Sequence, residues 1–401
     1  MSAAEPRQPI SLTCALHRLD QIASLYPPES KTVDVAQLEP GRILARDIEA
    51  EEDIPAVRTA IAEGFATMAE YTGTKRQIVG LSTALSPYYA VIQPGECVRI
   101  TTGGVVPDGA DTVVPYDDGI SEEEEMSGVE TIEFHYRLEK GENIRESGSE
   151  AKCGDILLKE GIKMDSMAIG LLHALGISKV EIYRKPRVCV VSIVDCHDNS
   201  RMKSEAFTSS RRLLALFNAQ GFKGIDAGCA KGRKVADKLR TAADFACVIV
   251  ATGSMEMFRQ ATKNLGLQMD IDGIGSEPGN FAISHGNIDN RPVLVCMLPG
   301  DANFSWIGAN TLVSPILRAM EGRLARNVLR FKAKLLEPTN ICSQVQFVCA
   351  RTEMADGCFL TTPIGSNSIL GANSILEIPE NVKFSAGDVV TVFLIESQNI
   401  A

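Results

Sequence analysis

The segment from 186 to 320 decides the fold: PRVCVVSI (186–193), RRLLALFNAQGF (211–222), IDAGCA (225–230), GRKVADKLRTAA (232–243), FACVIVATG (245–253), EMFRQATKNLG (256–266), PVLVCMLPG (292–300) and WIGANTLVSPILRAM (306–320). Short continuous apolar runs alternate with amphipathic stretches. A strand with no polar face must be covered on both sides, so this alternation predicts a three-layer α/β domain around a mostly parallel sheet. Any site is expected at the carboxyl ends of those strands.

Outward from this segment the rhythm changes in both directions. Beyond Gly322 come RFKAKLL (330–336), VQFVCA (345–350), CFLTTP (358–363), ILEIPE (375–380) and VVTVFLI (389–395), enough strands for a small barrel. Toward the amino terminus, RILARDIEA (42–50), QIVGLST (77–83), YYAVIQ (88–93), CVRITTG (97–103), DTVVPYD (111–117) and ETIEFHYRL (130–138) read as β-rich stretches between Gly and Pro punctuation. Glu122 to Glu125 lies between two of them and is expected to be a solvated loop. Residues 11 to 25 (SLTCALHRLDQIASL) space their apolar side chains as a helix does, with Ser11 as N-cap and Pro27 and Pro28 as the stop. The expected organisation is a helical and linking subdomain (1–50 with 141–184), a β-rich insertion (51–140), the α/β domain (185–322) and a C-terminal β barrel (323–401).

Composition narrows the function. The 401 residues are 45% apolar and 23% charged, with formal net charge −11, which describes a folded chain repelled by nucleic-acid backbones and anionic membranes. No apolar run reaches the ~20 residues of a membrane span, and MSAAEPRQPI has none of the pattern of a signal peptide, so a cytoplasmic location is expected. Eleven cysteines with no C-x-x-C pair, mostly inside apolar runs such as Cys189 and Cys247, read as reduced packing residues. Five scattered histidines give no helical zinc pair, and no metal site is expected.

Three turns follow strand-like runs: Thr101-Thr102-Gly103-Gly104, Ala251-Thr252-Gly253-Ser254 and Leu298-Pro299-Gly300-Asp301. Glycine at a strand end lets backbone amides approach an anion, above all where a helix starts next. Neither a P-loop nor a dinucleotide fingerprint is present, and no serine or cysteine has an identifiable base. On the residues alone, these are strand-to-helix turns around a pocket with no evident catalyst.

The run Gly95 to Asp111 (GECVRITTGGVVPDGAD) resembles the signature of gephyrin E domains and bacterial MoeA, the molybdopterin molybdenumtransferases. The resemblance is collinear through Ile54–Ala66, Asn143–Gly148 with Gly154-Asp155, Ile169–Gly176, Lys185–Ser192, Leu298-Pro299-Gly300 and Pro315–Gly322. It implies an elongated homodimer of a helical part, a β insertion, an α/β domain and a C-terminal barrel. It also implies binding of adenylylated molybdopterin and molybdate with Mg²⁺, hydrolysis of the adenylate and release of molybdenum cofactor.

The chain departs from that pattern where the chemistry is gathered. The family's acidic residue in D-G-Y-A is Glu63, its tyrosine is Phe65, and an upstream serine is Ala60. The S-T-G-(N/D)-E-L turn reads Ser192-Ile193-Val194-Asp195-Cys196-His197, and D-S-N aligns with Phe207-Thr208-Ser209. In S-G-G-x-S-x-G-x-x-D only Thr252-Gly253 persists, with Ser254, Phe258 and Ala261 replacing the remaining glycines and the aspartate. Glu277 and Asn280 replace the lysines of M-K-P-G-K-P; for a unit charge ~4 Å from an anion at an effective dielectric near 20, about 4 kcal/mol of attraction becomes repulsion.

These changes are read as a decayed site. The expected function is a non-catalytic, protein-binding scaffold with developmental timing as its setting, no cofactor, and vestigial turns at Thr102, Gly103, Thr252, Gly253, Pro299 and Gly300. Degenerate positions are Glu63, Asp195, Ala261, Glu277, Asn280 and Asp301. By the same resemblance Thr13 and Leu16 occupy a groove that in gephyrin holds receptor peptides, and a stand-alone E domain with no preceding G domain is expected. Expected partners are a second copy and one or more proteins. The alternative is an active Mg²⁺-dependent transferase with Glu63, Asp111, Asp117 and Asp301 for metal and Arg145 and Lys263 for phosphates; a third reading is a sensor that binds a pterin without turnover.

Overall fold

The protein is described by a computed structural model covering residues 9–70, 75–116, 120–124, 130–134, 137–194, 200–323, 329–355, 357–365 and 372–395. The chain divides into two compact units, Asp47–Glu160 and the remainder, Met1–Arg46 with Gly161–Ala401. The fold is mixed α/β, richer in strands than in helices.

The larger unit is built on a six-stranded sheet in the order Lys223–Ala230, Arg187–Ile193, Val248–Gly253, Arg291–Leu298, Ala282–Ile288, Gln268–Asp272. Its first four strands run parallel, with Val188 opposite Val248 and Val248 opposite Leu294, and its last two are antiparallel. The central strands are buried on both faces, as their unbroken apolar runs require. One face packs Val188, Val190, Val250 and Leu294 against Leu19, Phe217, Trp306 and Leu317 of the helices. The other packs Cys189, Val191, Ile249 and Val295 against Leu239 and Phe258. This is the three-layer domain that the alternation predicts.

The helix at the amino terminus is Leu12–Ser24, and Ser11 caps it by accepting from the Cys14 amide at 3.2 Å. The run WIGANTLVSPILRAM is one helical rod, but it is not uniform: Ala302–Gly308 and Ser314–Met320 are α-helical and Ala309–Val313 forms a π turn between them. Pro315 has no N–H to give to the preceding turn, so the hydrogen-bond register changes just before it.

Five strands, Leu329–Leu335, Val345–Ala355, Cys358–Pro363, Ser374–Ile378 and Val389–Leu394, close into a barrel. Phe347 and Phe393 of the barrel share a core cluster with the helices of the α/β layer. Ser276–Glu277 adds a short parallel pairing to the barrel strand at Val345.

The smaller unit carries a six-stranded sheet, Thr112–Pro115, Gly64–Thr67, Glu96–Ile100, Lys75–Ser82, Glu130–Phe134, Ile120–Glu124. Two expectations fail here. Glu122 to Glu124 is no loop but part of the edge strand paired with Glu130–Phe134, and Glu125 lies outside the described residues. The YYAVIQ stretch forms no strand; its Tyr88 ring lies where a Cβ on Gly80 would sit, so the segment is held by packing in place of a ladder.

Candidate functional site

The carboxyl ends of the parallel strands Arg187–Ile193, Val248–Gly253 and Arg291–Leu298 converge on the Gly253 and Gly300 turns. Gly253 has φ +123°, and a Cβ there would stand 2.0 Å from the Ile193 carbonyl oxygen, so only glycine fits. A Cβ on Gly300 would lie 3.4 Å from the Gly253 Cα, so the two turns touch. Two hydroxyls lock them: Thr252 Oγ1 donates to the Pro299 carbonyl at 2.7 Å and Ser209 Oγ donates to the Gly300 carbonyl at 2.7 Å.

Two helices begin at these turns, and their amino termini differ. Ala302–Gly308 is closed by Asp301, whose carboxylate accepts from the amides of Asn303 and Phe304, both at 2.9 Å. Met255–Asn264 starts after Ser254, whose amide donates to the Ile193 carbonyl at 3.1 Å and whose side chain makes no capping hydrogen bond. Its first-turn amides therefore lack the cap that Asp301 gives the neighbouring helix, and they project at the strand tips where helix geometry favours an anion.

Arg212 stands beside the capped helix. Its guanidinium donates to Asn303 Oδ1 at 2.8 Å and lies 5.2 Å from the centre of the Trp306 ring. Sequence reading missed it, because nothing in the run Ser209-Ser210-Arg211-Arg212 sets this arginine apart from its neighbours.

A cleft of about 410 Å³ lies between the Ala302–Gly308 helix and the barrel, lined among others by Glu277, Asn303, Phe304, Glu337, Gln346 and Phe347. Glu277 is exposed and accepts from Gln346 Nε2 at 3.3 Å, so its carboxylate is engaged with the barrel. Asn280 is exposed beyond Gly279, whose own Cβ would be 2.4 Å from two carbonyl oxygens.

The other named residues fall elsewhere. Ala261 is 4% exposed in the apolar layer with Phe258, on the buried face of its helix. Lys263 is exposed in the last turn of that helix, at the end away from the strand tips. Val194 is buried and donates its amide to the Ala230 carbonyl at 3.0 Å. Asp195 and Asp117 lie outside the described residues.

In the smaller unit, Glu63 is exposed before the Gly64–Thr67 strand, and Phe65 is fully buried against Tyr116 and Phe134. Thr102 and Gly103 are exposed, but the Gly103 amide donates to the Ala60 carbonyl and the Gly104 amide to the Thr101 carbonyl, each at 2.8 Å. Those two amides are therefore taken by backbone carbonyls. Asp111 accepts from the Ala69 amide at 2.7 Å with Lys140 at 3.7 Å, and Arg145 pairs with Glu150 at 3.0 Å. Thr13 is exposed on the first helix, whereas Leu16 is half-buried against the core, as ordinary packing requires.

A family model of the MoeA N-terminal region (domain I and II) matches residues 10–176. The molybdopterin molybdenumtransferase of Staphylococcus epidermidis is 26% identical, with 99% of this chain and 98% of that protein covered. Gephyrin of Dictyostelium discoideum is 33% identical over 42% of this chain and 25% of its own length. The crystal structure of the molybdopterin biosynthesis MoeA protein from Pyrococcus horikosii superposes with a TM-score of 0.76 at 24% identity, covering 95% of this chain and 99% of that one.

Residues 10–176 belong to the MoeA N-terminal region family, and the chain as a whole resembles MoeA and gephyrin E-domain proteins.

These relatives correct the functional expectation. The reading as a non-catalytic scaffold, not an enzyme and without a cofactor, is overturned by end-to-end relatives that carry an enzyme's name, molybdopterin molybdenumtransferase, in Staphylococcus epidermidis and, at 24% identity, in Bacillus subtilis. The developmental setting gains no support from these relatives. The replaced motif residues do not share one pocket: Ala261 belongs to a packed helix face and Glu277 to the cleft at the barrel.

Proposed function

We propose that this chain is a molybdopterin molybdenumtransferase, taking adenylylated molybdopterin and molybdate and releasing molybdenum cofactor. The observation that carries the reading is the match over 99% of the chain to a protein of that name. The uncapped Met255–Asn264 helix at the touching Gly253 and Gly300 turns is the feature that suits such a substrate.

In this reading the first-turn amides at 255–257 hold a substrate phosphate, a task the family pattern would share with lysines at 277 and 280. Backbone donors cannot be lost by side-chain replacement, so the site tolerates Glu277 and Asn280. Phe304 and Phe347 offer apolar surface in the cleft against which a substrate ring would pack. Thr252 and Ser209 position the turns through their bonds to the 299 and 300 carbonyls.

The resemblance also implies Mg²⁺. Among the described residues no three His, Cys, Asp or Glu side chains converge to hold a metal, and the Asp301 carboxylate is engaged in capping. The described residues do not form a ligand set for the ion, and no step is assigned to it. A homodimer in the cytoplasm is the assembly that the family resemblance implies. Among the described residues no helix is long and apolar enough to cross a membrane, and the cysteines described are free thiols.

The test is Ser254→Asp, followed by calorimetric titration with adenylylated molybdopterin. Ser254 already has the extended backbone of an N-cap, φ −76° and ψ 111°, so aspartate would cap the helix and set a negative charge against the anion. Binding is expected to weaken by at least about tenfold with melting temperature unchanged or raised. Unchanged affinity in the folded variant would refute the placement of the phosphate.

A further inference from the structure

The opposite end of the parallel sheet carries a second cleft. It measures about 630 Å³ and is lined by residues at the starts of three strands, Arg187, Cys247 and Pro292, together with Arg184, Lys185 and Tyr26. Three cations from one short run, Arg184, Lys185 and Arg187, therefore face one cavity on a chain of net charge −11.

Their charges are poorly answered. Arg184 Nε is 4.0 Å from Glu29 Oε2, and Lys185 Nζ is 4.0 Å from Glu321 Oε1. Arg187 has no carboxylate partner among the described residues. Glu321 is fully buried and its other oxygen already accepts from Arg323 at 2.6 Å, so the carboxylate is shared by two cations. Burial pushes the Lys185 amine down, Glu321 opposes that shift, and Arg42, Arg323 and Lys163 push it further down. Arg42 Nε is buried with no hydrogen-bond acceptor. Tyr26, Pro27, Pro28 and Pro186 add apolar lining to the cleft, with Glu29 its one lining carboxylate.

We propose that this basal cleft binds a phosphate ester with a ring-bearing body, the phosphate on Lys185 and Arg187 and the ring against the Tyr26 and proline wall. A phosphate supplies the counter-charge the cluster lacks, and a bidentate contact to Arg187 would fix its orientation. The volume is that of a small-molecule site. The cleft lies at the amino ends of the strands whose carboxyl ends carry the Gly253 and Gly300 turns, so it stands independently of the transferase reading.

The test is calorimetric titration of the full-length protein with AMP, and with adenosine as the uncharged control. Saturable AMP binding is expected, with adenosine at least about tenfold weaker. Arg187→Gln, an exposed position, and Lys185→Met should each weaken AMP binding about tenfold, by the same factor in the wild-type chain and in Ser254→Asp, which separates this cleft from the strand-tip site. No AMP binding, equal binding of adenosine, or unchanged affinity in folded Arg187→Gln would overturn the proposal.

Discussion

Replacing Gly253 by alanine tests the geometry on which the strand-tip site rests. The new methyl would lie 2.0 Å from the Ile193 carbonyl oxygen, a contact with backbone that no side-chain rotation relieves. Its φ of +123° adds a conformational cost of roughly 1–2 kcal/mol for a residue with a Cβ. Overpacking against a fixed neighbour costs about 1–3 kcal/mol more. The sum, roughly 2–5 kcal/mol, corresponds to about 4–10 °C in melting temperature at ~2 °C per kcal/mol for a large domain. Gly266 is the internal control because it ends the helix that Gly253 begins. Its φ is +71° and nothing lies within 4 Å of its Cβ position, so alanine there should cost only the conformational part, roughly 1–2 kcal/mol. Differential scanning calorimetry of the two variants decides the matter. A Gly253→Ala protein that melts no lower than Gly266→Ala would refute the close approach of the Gly253 turn to the Ile193 carbonyl.

Other outcomes follow from particular groups. Asp301→Ala removes two capping hydrogen bonds and should cost about 1–2 kcal/mol in urea unfolding, while Asp301→Asn should retain most of that. Burial pushes the thiols of Cys189 and Cys349 up to about 11 and of Cys296 up to about 12, from 9.0. Their unfolded counterparts ionise first, so the stabilising contribution is full below pH 9 and should decline as pH rises from about 9 toward 12, read as a falling urea midpoint. At pH 8 a thiol reagent should label exposed Cys14 and Cys153 in the native protein and spare Cys296 until unfolding, as peptide mass spectrometry would show.

Much of the fold was legible because burial on both faces leaves a periodicity that composition cannot hide. The runs at 186–193, 245–253 and 292–300 could be little else than parallel central strands, and they are. YYAVIQ failed because β propensity describes fit to a half-buried pleated surface, and this stretch instead closes over Gly80 through Tyr88. Glu122 to Glu124 failed because acidic composition argues for solvation, which an edge strand satisfies as well as a loop does.

The site was less legible. Glycine at 253 and 300 marked the two turns that touch at the strand tips, whereas side-chain replacement carries no information on the backbone amides there. Nothing local distinguishes Ser254, which leaves its helix uncapped, from Asp301, which closes the next one, because both residue types cap well. Ser209 reaches Gly300 from 91 positions away, a contact only the assembled sheet brings about.

The central claim is catalytic, so the most direct measurement is turnover. Purified protein given adenylylated molybdopterin, molybdate and Mg²⁺ should release AMP together with cofactor able to reconstitute an apo-molybdoenzyme, and Ser254→Asp should release far less of both. A folded wild-type protein that releases neither would contradict the account.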